Sequence, residues 1–95
     1  MKRTLAHRIA VVVDGGEPVG RAMALALAAR GARVMVGGAR ERSLGETVGE
    51  LAFMGGQGRH VLGGVVEAVA RAEALWGPVD LVVETGLDPG GQEPR

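Results

Sequence analysis

Hydrophobic residues fall along this chain in short runs and helical stripes that alternate. Ile9 to Val13 is an unbroken apolar run, rich in β-branched residues, that stops at Asp14-Gly15-Gly16. Such a run followed by glycine predicts a strand buried on both faces, as in a parallel sheet. From Val19 to Ala29 nearly every residue is Ala, Leu, Met or Val, with Pro18 just before and Gly31 just after. Proline suits a first helical position and glycine a helix end, so this segment predicts a largely buried helix. Ala32 to Val36 predicts a second strand, broken by Gly37-Gly38. Leu44, Val48 and Leu51 then recur at helical spacing and predict a helix over 41–54. Ser43 and Glu46 have the spacing of a capping box inside it. A short strand is expected over 59–62. Val65, Val69, Ala72 and Trp76 give a third helical stripe over 65–76, and Val79 to Val83 a last buried-type strand. The closing Asp-Pro-Gly-Gly-Gln-Glu-Pro-Arg is polar and predicts a disordered tail over 87–95.

Strands alternating with helices imply right-handed crossovers and a parallel sheet layered between helices. The expected fold class is α/β, a Rossmann-like three-layer α/β/α unit over residues 1–86. Its sheet has three or four strands in the order 3-2-1-4.

Composition narrows the chemistry. Eleven basic and 11 acidic residues leave a net charge of +0, which gives no electrostatic case for nucleic acid or an anionic membrane as partner. The chain has no Cys, so disulfides, cysteine-held metals and thiol nucleophiles are excluded. It has no Tyr either, and its single lysine is Lys2. His7 and His60 stand without a Ser or Cys partner at any motif spacing. No targeting run or membrane-length apolar segment is visible, so the expected location is cytoplasmic.

Three stretches together resemble the first half of the short-chain dehydrogenase/reductase family, across roughly residues 8–86. They are Ile9-Ala-Val-Val-Val-Asp-Gly-Gly, Val19-Gly-Arg-Ala-Met-Ala-Leu-Ala-Leu-Ala-Ala-Arg-Gly-Ala-Arg-Val, and Trp76-Gly-Pro-Val-Asp-Leu-Val-Val. The resemblance implies an oxidoreductase scaffold that binds NADP or NAD. It implies cofactor contacts at Gly15, Gly16 and Gly20 in the first glycine loop, at Arg40 after the second strand, and at Gly86 after the fourth.

Several departures from the family pattern bear on that expectation. The loop Asp14-Gly15-Gly16-Glu17-Pro18-Val19-Gly20 is one residue shorter than Thr-Gly-x-x-x-Gly-x-Gly and lacks the middle glycine. Asp14 and Glu17 bring two carboxylates toward a site meant for a pyrophosphate. At about 5 Å and an effective dielectric of about 20, each like-charge pair costs on the order of 3 kcal/mol. A helix N-terminus returns only about 0.3–2 kcal/mol. Weak or absent dinucleotide binding is therefore expected. Arg40 would suit the 2′-phosphate of NADP, or belongs with Glu41 and Arg42 to a solvated first helical turn. Leu62-Gly63 replaces an expected Asp, and Val83-Glu84-Thr85-Gly86 replaces Asn-Asn-Ala-Gly. The family's catalytic Tyr-x-x-x-Lys has no counterpart, so an enzyme active on its own is not expected.

Right-handed crossovers place the helices at 19–29 and 41–54 on one face and the helix at 65–76 alone on the other; one helix cannot cover four strands, and the last strand would form a bare edge. The chain is therefore expected to self-associate or to pair with a partner chain through its exposed sheet face and edge. The alternative reading is a non-enzymatic interaction or oligomerisation module, or a decayed fragment without selected function.

Overall fold

The computed structural model describes residues 4–84. The predicted tail and Gly86 lie outside them. Seven elements follow in order: β1 (Ile9–Val13), α1 (Pro18–Ala29), β2 (Arg33–Gly38), α2 (Glu41–Phe53), β3 (Gln57–Leu62), α3 (Val65–Leu75) and β4 (Leu81–Glu84). The four strands form one parallel sheet in the order β3-β2-β1-β4. This is the α/β arrangement that the alternating pattern implied.

Strand alternation divides the core in two. Ala10, Val12, Val34 and Val36 point to one face, where Ala24 and Ala28 of α1 and Leu44 and Leu51 of α2 pack on them. Ile9, Val11 and Met35 point to the other, where Ala68 and Ala72 of α3 cover them. Small alanines on the helices let the helix axes come close to a sheet of β-branched residues, a way to reach dense packing with almost no aromatic volume. Two helices on one face and one on the other is the layering that right-handed crossovers require.

Three local expectations are corrected. Gly37 and Gly38 do not end β2; they continue it. A Cβ on Gly37 would sit 3.2 Å from the Ala68 side chain, and one on Gly38 3.1 Å from Leu44. Helices press on both faces there, so glycine permits the strand instead of breaking it. The Ser43–Glu46 pair caps nothing, because α2 already starts at Glu41 with Arg40 as its N-cap residue. β4 begins at Leu81, two residues later than its apolar run; Val79 instead packs into the α3-side cluster.

Asp80 fixes the entry to β4. Its carboxylate accepts the Ile9 N–H at 2.8 Å, its own N–H donates to the Ile9 carbonyl at 2.8 Å, and Arg8 lies 3.6 Å away.

Candidate functional site

The sheet reverses its winding at β1, with β2 on one side and β4 on the other. In open α/β sheets, ligands bind in the crevice beyond the carboxyl ends of strands near such a point. A crevice of about 210 Å³ lies there, lined by Asp14, Gly16, Glu17, Gly38, Ala39, Arg40 and Leu44. A shallower hollow of about 360 Å³ adjoins it across Asp14, Gly38 and Ala39, and reaches Val13, Leu62, Gly63 and Gly64.

Of the residues expected at a cofactor site, Gly16 and Arg40 line this crevice together. Gly15 and Gly20 lie buried beneath it. A Cβ on Gly20 would overlap the Asp14 carbonyl, so only glycine lets α1 close on the strand end. A Cβ on Gly15 would come within 2.6 Å of the Val36 Cβ. Gly15 is also held from two sides: its N–H donates to the Gly37 carbonyl at 3.0 Å, and its carbonyl accepts the Thr47 hydroxyl at 2.8 Å.

Thr47 is a residue that sequence reasoning missed. It is fully buried on α2 and also reaches the Ser43 carbonyl at 3.2 Å. It ties the second helix to the glycine loop. The available signal was a hydroxyl inside the Leu44–Leu51 apolar stripe.

The loop geometry suits a phosphate less well than its glycines suggest. Gly16 is the glycine placed to face a ligand, yet a Cβ there would lie 2.7 Å from the Ser43 side chain. The space it spares is filled by the start of α2. Pro18 occupies the first turn of α1 and offers no N–H. Asp14, at φ +63, and Glu17 both line the opening. Arg40 is the one basic side chain in the lining, and it is exposed. Gly20 lets α1 close on the strand end as in a dinucleotide loop, but the filled space at Gly16, the charge and the donor count do not fit a pyrophosphate.

Other polar groups serve the scaffold. Arg21 on α1 pairs with Glu46 at 3.2 Å and Glu50 at 3.5 Å on α2. His60 of β3 meets Glu41 of α2 at 2.7 Å, and Arg33 of β2 donates to Gln57 of β3 at 2.9 Å. Among the described residues, no group of three or more His, Cys, Asp or Glu is placed to hold a metal, and no helix is long and apolar enough to cross a membrane.

No family model matches the chain. No curated protein matches it. Solved structures do. One is the citronellol catabolism dehydrogenase AtuB of Pseudomonas aeruginosa PAO1, at 28% identity and a TM-score of 0.78 over 86% of this chain and 37% of that one. Another is gox2181, at 30% identity and a TM-score of 0.79 over 86% of this chain and 34% of that one. A third, a short-chain type dehydrogenase/reductase from Mycobacterium marinum, matches at 22% identity and a TM-score of 0.77 over 84% and 35%. The fold is that of the short-chain dehydrogenases/reductases. This chain spans little more than a third of the length of these three proteins. The crevice at Gly16 and Arg40 lies beyond the carboxyl ends of β1 and β2.

Proposed function

We propose that this chain is a non-catalytic Rossmann unit, built like the cofactor-binding part of an NAD(P)-dependent short-chain oxidoreductase, that works in the cytoplasm and holds NADP or NAD weakly or not at all. One observation carries the reading. The crevice keeps the glycine-dependent closure of helix on strand, while Asp14 and Glu17 stand where a dianion would need donors. The sequence adds that no Tyr is present and that Lys2 is the single lysine, so these 95 residues carry no Tyr-x-x-x-Lys proton relay.

Titration of the 95-residue chain with NADPH and NADH, followed by calorimetry and saturation-transfer NMR, tests this. The expected dissociation constant is weaker than about 1 mM, worth less than about 4 kcal/mol. A micromolar constant would overturn the reading. Asp14→Thr combined with a glycine inserted after Pro18 should strengthen binding, and more for NADPH than NADH if Arg40 meets the 2′-phosphate. A second reading, an association module, is favoured by the exposure of Leu81 and Val82 on the last strand.

A further inference from the structure

The chain has no Asn, and Asp14 is the one Asp that Gly follows. An Asp-Gly step carries a latent reaction. The glycine nitrogen can attack the side-chain carboxyl carbon of the Asp, and glycine has no Cβ to shield that nitrogen. The N–Cγ bond forms, the carboxyl C–O bond breaks, and the hydroxyl of the protonated carboxyl leaves with the amide proton as water. The product is a cyclic succinimide. Water then opens the ring at either carbonyl. One opening restores Asp; the other gives isoaspartate, in which the main chain runs through the side-chain carbon. The water lost is regained, and no other reactant is consumed.

The fold treats the two reacting groups oppositely. Asp14 is half-buried and lines both hollows at the crevice, and among the described residues its carboxylate makes no hydrogen bond or ion pair. No contact of that kind holds it away from the next nitrogen. The Gly15 nitrogen, by contrast, is locked. Its N–H donates to the Gly37 carbonyl at 3.0 Å in a buried position, out of reach of the base that must take the proton. A succinimide nitrogen bears no hydrogen, so this bond cannot survive ring closure. The Asp14 carbonyl is pinned as well. It accepts the Glu17 N–H at 3.1 Å, and Gly20 packs so closely on it that a Cβ would overlap it. Asp14 also holds φ at +63, a left-handed conformation that persists only while its surroundings impose it.

We propose that Asp14-Gly15 is an aspartate-isomerisation site that the folded loop holds shut, and that conversion proceeds only when the Gly15–Gly37 hydrogen bond opens. Thr47 is the remote part of the lock, because its hydroxyl holds the Gly15 carbonyl from α2 at 2.8 Å. For the structure the conversion runs one way. Isoaspartate adds a backbone carbon between Val13 and Gly15, in a loop where a Cβ on Gly15 or Gly20 already has no room. The lengthened loop cannot close as before, so each captured opening leaves the crevice reshaped. The extent of conversion records how often the loop has opened.

The test incubates the 95-residue chain at neutral pH, in native buffer and in denaturing urea. Conversion is read by peptide mapping with a protease that cuts before Asp but not before isoaspartate. Isoaspartate at position 14 should form at least about a hundredfold more slowly in the native chain, the protection given by a local opening worth about 2.7 kcal/mol. Hydrogen exchange at the Gly15 amide of the same chain reports the same opening, and conversion should be suppressed at least as strongly as that exchange. Thr47→Val should raise the native rate about tenfold and leave the rate in urea unchanged. A native rate within about twofold of the urea rate would overturn the proposal. So would suppression weaker than the Gly15 amide protection, which would mean attack without opening. A folded Thr47→Val chain with an unchanged native rate, or a purified isoaspartate form with the wild-type melt, would do the same. The first two measurements need no variant, so a Thr47→Val chain that fails to fold does not remove the test.

Discussion

Replacing Thr47 by Val tests whether the glycine loop is held from α2. The swap keeps the branched shape and removes the hydroxyl. The 2.8 Å bond to the Gly15 carbonyl and the 3.2 Å contact to the Ser43 carbonyl are both lost. Thr47 and Gly15 are both buried, so water does not readily replace the missing donor. Leaving a buried acceptor unpaired costs about 1–3 kcal/mol, and we take about 2 kcal/mol for this site. In a domain of this size each kcal/mol moves the melting midpoint by roughly 4–8 °C, so Thr47→Val should melt about 8–15 °C lower. Thr47→Ser keeps the donor and loses one buried methyl, about 1 kcal/mol, and should fall between. Urea and thermal melts followed by circular dichroism give the three stabilities. Hydrogen exchange at the Gly16 and Glu17 amides should also quicken in the Val variant, since those residues lose their tether. A Val variant as stable as the wild type, with unchanged exchange in the loop, would refute the reasoning.

Further outcomes follow from the glycines and the loop. Gly20→Ala should be severely destabilising, by 3 kcal/mol or more (about the scale of core overpacking), because its Cβ overlaps the Asp14 carbonyl; a denaturant melt checks it. Gly45→Ala and Gly49→Ala should each stabilise by about 0.5–1 kcal/mol, because both sit inside α2 with nothing within 4 Å of the new methyl; a denaturant melt of each single variant checks it. Asp14→Gly should stabilise by about 1 kcal/mol, since Asp14 holds a left-handed φ of +63 that glycine adopts freely; an unchanged or lowered melting midpoint would count against this.

Much of the architecture was legible because it rests on local pattern. Ile9–Val13 is the strand its apolar run implied, and the three helices end within one residue of their predicted limits. What escaped reading depends on contacts distant in sequence. Gly37 and Gly38 carry no local sign that Ala68 and Leu44 will close on them from opposite faces. β3 starts at Gln57 because it pairs with Arg33, a partner 24 positions earlier that no local window contains. At the crevice, spacing was enough to bring Gly16 and Arg40 together. It could not show that Gly16 is filled from behind by Ser43, nor that Thr47 faces inward to hold the loop.

The end of the sheet that carries the crevice is assembled from glycines pressed against neighbouring backbone and small side chains, at Gly15, Gly16, Gly20, Gly37 and Gly38. Such a region has an uneven tolerance to sequence drift. Its floor is nearly immutable, because almost any added side chain collides. Its rim, at Asp14, Glu17, Ala39 and Arg40, is free to vary, because those residues are half-buried or exposed. Substitution can therefore change the charge of this pocket far more readily than its outline, and the outline alone is a poor guide to what the pocket admits.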